Sequence, residues 1–261
     1  MPGPGSPLMQ AALFAPAKKA WSPLDLGAKL IAWWDAENAI SLDLAGTAVN
    51  SWTDCKGGVV LSQSDTSRKP TLLPNAFNGR ACLGFDGSVD SIGSGAVPSH
   101  FPVGSSPSEF WALVDQNLDT TQPTARRIIA YGGGDNNTGR FLTRNPVSGG
   151  NAVSMFVGIG ANVIAAQSGP GFTGVHVVRG ITPIAPATAF TASLDGVPGA
   201  AANIAFPMAT GTDGGIRIGS STNGGIGLWS GSMNSVLITL PLSIDEAANM
   251  LSFLKTRGGV A

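Results

Sequence analysis

Two carboxylates, Asp35 and Glu37, stand one residue apart directly after a pair of tryptophans. Cleavage of a glycosidic bond needs two carboxyl groups about 5 to 9.5 Å apart, one acting as acid and the other as base or nucleophile. Side chains two positions apart on a strand point to the same face, so this spacing brings two carboxylates together. The pair ends a predicted strand, however, and a structural or capping role is favoured over catalysis.

The chain has only two histidines, His100 and His176, for acid–base chemistry or metal binding. His176 lies in the alternating segment 175–178, which predicts a half-buried strand residue rather than a catalytic one. His100 lies in a loop between two prolines. A G-x-S-x-G sequence, which would supply a serine nucleophile, is also missing. We therefore predict no catalytic residue.

Metal ligands are equally sparse. Asp86 and Asp90 could offer oxygens to calcium, but the twelve-position acidic loop of an EF-hand is missing. A turn that Asp86 closes through its own backbone is the favoured interpretation. Two cysteines, Cys55 and Cys82, cannot form a four-ligand zinc site, and two buried free thiols are favoured over a single bridge. No metal or cofactor is expected, and calcium is the one alternative left open.

Two polar loops are the candidates for ligand binding. The first follows Tyr131 and three glycines, and its polar residues are Asp135, Asn136 and Asn137. The second, rich in glycine, contains Asn223. Amide and carboxylate groups beside an aromatic ring suit a sugar, because they bind its hydroxyls while the ring covers its C–H face. A solvated hairpin loop is the competing interpretation for the first loop.

Composition excludes some classes of partner. Charged residues make up 12% of the 261 residues, about half the usual share of roughly 25%. The net charge of −1 argues against a nucleic-acid partner, which needs a basic patch. A surface with so little charge is either buried against other copies in a homo-oligomer or solvated by small polar residues. We expect no signal peptide, because the first residues lack positive charge, and no membrane span.

Turn residues at intervals of about ten positions divide the chain after residue 22 into short apolar or alternating segments. This rhythm predicts an all-β, antiparallel sandwich formed by a single domain over residues 23–261. Residues 1–22, rich in proline and glycine, are expected to form a flexible or extended arm. The strands predicted for the second half of the chain cover residues 109–115, 126–131, 140–144, 152–158, 174–180, 188–194, 216–219 and 233–240.

One α-helix is predicted, from Ile244 to about residue 256. Ser243 and Glu246 form an S-x-x-E capping box at its start, and Gly258 is placed as its C-terminal cap. The apolar periodicity predicts that one face packs on the sandwich, formed by Ile244, Ala247, Leu251 and Leu254.

These motifs together resemble the concanavalin A-like and laminin G-like jelly-roll domains, from about residue 24 to residue 258. The front half of the resemblance rests on Trp33, Trp34, Asp35, Trp52, Asp54, Gly57, Arg68, Pro70, Asn78, Gly79, Phe85, Asp86, Gly87 and Asp90. The rear half rests on an Asp195–Gly196 hairpin, on Gly219, Trp229, Gly231 and Val236, and on the capped helix. The resemblance implies a jelly-roll β-sandwich and does not determine function. The E-x-D-x-x-E strand of the glycan-cleaving members is missing.

The resemblance extends to phage structural proteins, such as tail fibres and head decorations, and to bacterial surface proteins. We therefore expect a non-enzymatic, virion-associated protein that recognises a cell-surface glycan or decorates a particle, with other virion proteins as partners. The alternatives are a glycan-cleaving hydrolase of the same fold group and an assembly module without a ligand. A bacterial cell-surface or secreted location is the alternative to the virion.

Overall fold

Antiparallel β-strands dominate the computed structural model, which describes residues 19–116, 125–133, 138–145, 152–158, 163–167, 172–184, 187, 189–203, 208, 210–212, 214–221 and 227–261. The strands are β1 Leu30–Asp35, β2 Leu42–Ala45, β3 Ala48–Thr53, β4 Val60–Ser62, β5 Thr71–Phe77, β6 Arg80–Asp86, β7 Ile92–Gly93, β8 Ser108–Gln116, β9 Arg126–Gly132, β10 Gly139–Asn145, β11 Ala152–Gly158, β12 Val163–Gln167, β13 Gly174–Thr182, β14 Ala189–Leu194, β15 Val197–Pro198, β16 Ala202–Asn203, β17 Ile216–Ile218 and β18 Ser230–Thr239. The α-helix, α1, spans Ile244–Gly258, and short 3₁₀ helices span Pro23–Lys29, Ala39–Ser41 and Thr66–Arg68.

The strands form two layers. In the first layer β14, β13, β8 and β18 pair in that order, and β1 and β6 share the free edge of β18. In the second layer the order is β2, β3, β4, β7, β17, β9, β10, β11 and β12. A bridge from Ala48 to Thr71 of β5, which pairs with β6, connects the layers. The predicted all-β antiparallel sandwich with a C-terminal helix is confirmed.

The first layer is buried on both faces. On β8, Phe110, Ala112 and Val114 belong to the large apolar core that both layers build. Trp111 and Leu113, between them in sequence, belong to a second apolar cluster against α1. A strand covered on both sides needs apolar residues at successive positions, which explains the continuous hydrophobic run of β8.

The start of α1 follows the prediction. Ser243 Oγ accepts a hydrogen bond from Glu246 N at 3.3 Å, and Glu246 Oε2 accepts one from Ser243 N at 2.7 Å. The predicted end is wrong by one residue: Gly258 is the last helical residue, and Gly259, with φ 67°, is the cap. Glycine adopts this left-handed conformation without the strain that a β-carbon causes.

The predicted packing face of α1 needs correction. Ile244 is 88% exposed, although the periodicity placed it on the sandwich. Ala247 and Leu251 do pack against the apolar cluster under the helix, and Leu254 is fully buried there, so Ile244 alone is misplaced. The contact also includes Met250, Arg257 and Gly258 in the C-terminal half of the helix. The physical reason is that Arg257 forms ion pairs beneath the helix, and hydrophobic periodicity alone gives no weight to an arginine.

Two of the turns have the backbone that their sequences predict. Asn78 and Gly79 both have positive φ, 46° and 75°, and join β5 to β6. Asp195 and Gly196, with φ 50° and 88°, join β14 to β15. Such pairs suit tight hairpins because their twist matches that of the flanking strands. Across the described part of the chain, no helix has the length and apolar character needed to cross a membrane.

Candidate functional site

A cavity of about 530 Å³ lies between α1 and the end of β1. Its lining combines aromatic rings with charged and polar groups, from Ala20, Trp21, Trp33, Asp35, Glu37, Arg80, Asn249, Ser252, Phe253, Thr256 and Arg257. Small-molecule sites commonly have apolar walls with a few fixed polar groups. This cavity is therefore the candidate functional site.

Three aromatic rings form one wall of the cavity. Phe253 of α1 packs edge to face against Trp21 and against Trp33, with ring centroids 5.9 Å apart in both pairs. Trp21 is held in place by the following turn, where Ser22 N donates to Asp25 Oδ2 at 2.9 Å and Lys19 Nζ donates to Asp25 Oδ1 at 2.6 Å. Trp21 belongs to the predicted arm, whose residues 1–18 lie outside the described residues.

A network of two carboxylates and two guanidinium groups adjoins these rings, since Arg257 Cζ lies 5.1 Å from the ring centroid of Phe253 and 5.9 Å from that of Trp33. Arg257 donates to both oxygens of Asp35, at 2.7 and 3.0 Å, and its Nη2 lies 2.9 Å from Glu37 Oε2. Arg80 Nη1 donates to the same Glu37 oxygen at 2.8 Å, and Asn234 Nδ2 donates to Glu37 Oε1 at 3.2 Å. Asp35 and Arg257 are 6% exposed each, whereas the side chains of Arg80 and Glu37 are 40% and 24% exposed. Arg80 and Glu37 are thus the charged groups that reach solvent.

This arrangement gives the two carboxylates a binding and structural chemistry. A bidentate guanidinium occupies both oxygens of Asp35, which leaves neither positioned to transfer a proton. The sequence places Asp35 and Glu37 together by their spacing, but it does not show that Arg257, 222 residues from Asp35 along the chain, is their partner. The only sequence signal for Arg257 is a basic residue in the last turn of a helix, which the helix dipole already explains.

The ligand-binding candidates proposed from the loops, Asp135, Asn136, Asn137 and Asn223, lie outside the described residues. The aromatic ring expected beside the first loop is not available to a sugar. Tyr131 is completely buried in the core, and its hydroxyl donates to the carbonyl of Pro102 at 2.8 Å.

The loop from Asp86 to Asp90 is closed by its own backbone. Asp86 Oδ1 accepts hydrogen bonds from the backbone N–H groups of Ser88, Val89 and Asp90 at 2.9 to 3.0 Å, and Asp90 Oδ2 accepts one from Asp86 N at 3.0 Å. Burial alone would raise the pKa of Asp86, but the Ser88 hydroxyl, which donates to Oδ2, and these backbone donors hold it at about 2. Burial, with the Asp86 charge adding to it, raises the pKa of Asp90 to about 6. These oxygens face N–H groups, and the described residues contain no group of three side chains suited to a metal.

The two histidines lie apart from the cavity. His176 Nδ1 is 2.5 Å from Asp195 Oδ2, and its Nε2 is 3.0 Å from the carbonyl of Thr173, so both ring nitrogens are occupied. The hydrogen bond with Asp195 raises the pKa of His176. His100 packs edge to face against Phe101 at a centroid distance of 5.0 Å, beside a separate cavity of about 280 Å³. Cys55 is half-buried and Cys82 buried, both as free thiols, and burial raises the pKa of each.

The architecture defines a jelly-roll-type β-sandwich with a helix on one face. Protein-family models and curated protein sequences give no match to this chain. Among solved structures, it is similar to an arabinofuranosidase in complex with arabinofuranosyl-α-1,2-xylobiose, at TM-score 0.62 and 12% identity, over 90% of this chain and 64% of that one. It is also similar to the HCR/D W1238A mutant, at TM-score 0.57 and 13% identity, over 87% of this chain and 52% of that one.

A further match is a mutant of the sialidase NanB from Streptococcus pneumoniae, at TM-score 0.48 and 10% identity, over 64% of this chain and 27% of that one. The chain thus spans under two thirds of the length of each of these proteins. At such identities, the two matches with TM-scores of 0.62 and 0.57 establish the fold alone.

Proposed function

We propose that the chain is a non-enzymatic glycan-binding module and that the cavity between α1 and β1 is its binding site. The observation that carries the proposal is the pairing of an aromatic wall, Trp21, Trp33 and Phe253, with the half-exposed groups of Arg80 and Glu37. An aromatic ring covers the C–H face of a sugar, while charged donors and acceptors bind its hydroxyls.

The bonding of the carboxylates supports the non-enzymatic part of this proposal. A glycosidase needs one carboxyl group that can deliver a proton and a second that can attack or activate water. Asp35 has both oxygens on Arg257, and Glu37 is shared between Arg257, Arg80 and Asn234. The network has two positive and two negative groups, so it favours an uncharged, hydroxyl-rich ligand.

The setting we propose is the surface of a virion, where the module recognises a cell-surface glycan or decorates the particle. The support is the sequence resemblance to phage structural proteins, together with the 12% content of charged residues, which suits a chain packed against other virion proteins or its own copies. A bacterial surface or secreted protein is the alternative setting.

Glycan-array screening followed by calorimetric titration of the best hit tests the binding site. We expect Trp21→Ala and Arg80→Gln each to weaken binding by about tenfold or more, since each removes a contact at the centre of the site. Val60→Ala is the control, because Val60 is 51% exposed on the second layer. Equal affinity of all three variants and the unaltered chain would place the glycan elsewhere.

A polysaccharide-turnover assay tests the absence of catalysis. Robust cleavage that is lost in Glu37→Gln, a variant that keeps the Asp35–Arg257 pair, would show a hydrolase instead. The assembly alternative predicts an array without hits and oligomers that dissociate when residues 1–18 are removed. That deletion keeps Trp21 and therefore leaves the cavity wall in place.

A further inference from the structure

A second cavity, of about 260 Å³, lies between α1 and the strands β8, β13 and β14. Its helix side is formed by Ile244, Ala247, Ala248 and Leu251, and it shares no lining residue with the candidate site on the other flank of α1. A cavity of about 150 Å³ already holds a benzene-sized molecule. The second cavity is therefore large enough for a small ligand of its own.

The sheet side of this cavity includes a row of side chains on neighbouring strands. Arg179 of β13 is paired in register with Trp111 of β8 on one side and with Ser193 of β14 on the other. Side chains of directly opposite residues lie on the same face of a sheet, about 5 Å apart at their β-carbons. Arg179 and Ser193 are therefore neighbours, and both line the cavity.

Glu109 fixes the Arg179 guanidinium and balances its charge. Glu109 Oε2 accepts hydrogen bonds from Arg179 Nε at 3.1 Å and from Nη2 at 2.8 Å, while Oε1 accepts one from Leu242 N at 3.0 Å. The guanidinium carbon lies 4.4 Å from the ring centroid of Trp111. Arg179 Nη1 has no hydrogen bond within the described residues, although the side chain is only 20% exposed. The neutral pair thus leaves a donor unused at the cavity.

The hydroxyl of Ser193 is a second unused polar group beside it. Ser193 is 8% exposed, and its hydroxyl has no hydrogen-bond partner among the residues that the structure describes. Buried polar groups are normally hydrogen-bonded, and an exception indicates a missing partner. Two donors on adjacent strands therefore lack an acceptor in the same cavity.

Most of the remaining lining is apolar, from Val177, Leu242, Ala247, Ala248 and Leu251. Ile244 also lines the cavity and is 88% exposed, which is unusual for a large apolar side chain beside an apolar cavity. A ligand with an apolar body would cover Ile244 and remove that surface from water.

We propose that this cavity binds a small ligand that has an apolar body and one uncharged carbonyl group, as in an aliphatic amide. The carbonyl oxygen accepts hydrogen bonds from Arg179 Nη1 and the Ser193 hydroxyl, while the body lies against the apolar lining. An anion fits less well, because Glu109 already balances the charge of Arg179 and the first turn of α1 adds Asp245. The site does not depend on the proposed glycan site.

Titration with hexanamide, hexanoate and hexylamine, followed by the NMR shifts of backbone amides, tests the proposal. The three probes share an alkyl chain and differ in carrying a neutral carbonyl, an anion or a cation. We expect hexanamide to bind most tightly and to shift the amides of Arg179, Ser193 and Ala247. Ser193→Ala should weaken hexanamide binding by about threefold or more, since one hydrogen bond is lost. It should not lower the melting temperature, because the hydroxyl has no partner in the protein.

Ala248→Leu fills the cavity from an exposed helix position and should abolish hexanamide binding. Ser62→Ala removes an exposed hydroxyl from β4 in the second layer and is the matched control, expected to bind like the unaltered chain. Circular dichroism establishes that each variant is folded, and Ser193→Ala carries the test if Ala248→Leu does not fold. Equal hexanamide affinity in Ser193→Ala and Ser62→Ala would overturn the proposal, as would tighter binding of hexanoate or no binding of hexanamide to the unaltered chain.

Discussion

Arg257 Nη2 lies 2.7 Å from Asp35 Oδ1 and joins the last turn of the C-terminal helix to the end of the first strand. Both side chains are less than a tenth exposed, so the pair is an interior one. It has two consequences, since it attaches α1 to the sandwich and supplies one wall of the candidate site. The stability of the protein and the geometry of the candidate site are therefore linked at this contact.

Removal of Arg257 should destabilise the protein strongly. Arg257→Met leaves the Asp35 carboxylate buried without its partner, and breaking a buried pair in this way costs about 3–5 kcal/mol. Urea unfolding followed by tryptophan fluorescence measures the change. Arg80→Gln breaks a more exposed pair and should cost under about 1 kcal/mol. A similar loss of stability in Arg257→Met and Arg80→Gln would mean that the buried Asp35 carboxylate does not need Arg257 as its partner.

Replacement of Asp90 by asparagine should stabilise the protein at neutral pH. The folded-state pKa of Asp90, about 6, lies above the ordinary value of 3.8. The folded state therefore keeps a proton that the unfolded chain has lost, and stability falls as pH rises from about 4 to 6. The side-chain amide in Asp90→Asn would keep an oxygen for Asp86 N without the buried charge.

Unfolding of both proteins by urea between pH 4 and 8 checks this prediction. Asp90→Asn should gain stability relative to the unaltered chain as pH rises through that window, and the gain should be constant above it. Asp86 acts in the opposite direction, because its pKa of about 2 means that its contribution is lost as pH falls below about 4. A gain in stability that does not depend on pH would contradict the raised pKa of Asp90.

The packing face of α1 can be tested by two truncations to alanine. Leu254 is fully buried under the helix and Ile244 is 88% exposed. Leu254→Ala should cost about 2–5 kcal/mol, as core truncations do, whereas Ile244→Ala should change stability by less than about 0.5 kcal/mol. Chemical denaturation gives both values, and a larger loss of stability in Ile244→Ala than in Leu254→Ala would contradict this packing.

Two glycines with similar backbone conformations allow the cost of backbone strain to be distinguished from the cost of a steric clash. Gly57 and Gly196 have φ of 92° and 88°, but a β-carbon at Gly57 has open space while one at Gly196 lies 2.5 Å from Leu251 Cδ2. Gly57→Ala should cost about 1–2 kcal/mol from the left-handed backbone alone. Gly196→Ala should lower the free energy of unfolding by more, because the β14–β15 hairpin must also move away from Leu251 of α1. Equal decreases in melting temperature in the two variants would show that the Leu251 side chain moves aside without a measurable cost in stability.

Local signals in the sequence were sufficient for much of the fold. The Ser243–Glu246 box and the Asn78–Gly79 turn depend on residues close in the chain, so their chemistry can be read directly. The alternation of β8 was hidden by burial on both faces, but its apolar run still predicted a strand. Ile244 was misplaced because periodicity treats every apolar residue as a packing residue.

The candidate site could be predicted only in part. Asp35 and Glu37 are visible together because two positions separate them, whereas their partners Arg80 and Arg257 reach them only through the tertiary fold. Trp21 was placed in an arm because proline and glycine dominate the residues before it. Trp21 contacts Phe253 because of the position of α1 in the fold. No sequence pattern near Trp21 predicts that position.

The position of Trp21 places the end of the predicted N-terminal arm against the candidate site. Residues 1–18 join the described structure at Lys19, two residues before a ring that forms a wall of the cavity. Under the proposed function, a partner that displaced Lys19 would displace that wall and change the affinity of the cavity for its glycan. By thermodynamic reciprocity, a ligand held against Trp21 changes the affinity for that partner by the same factor.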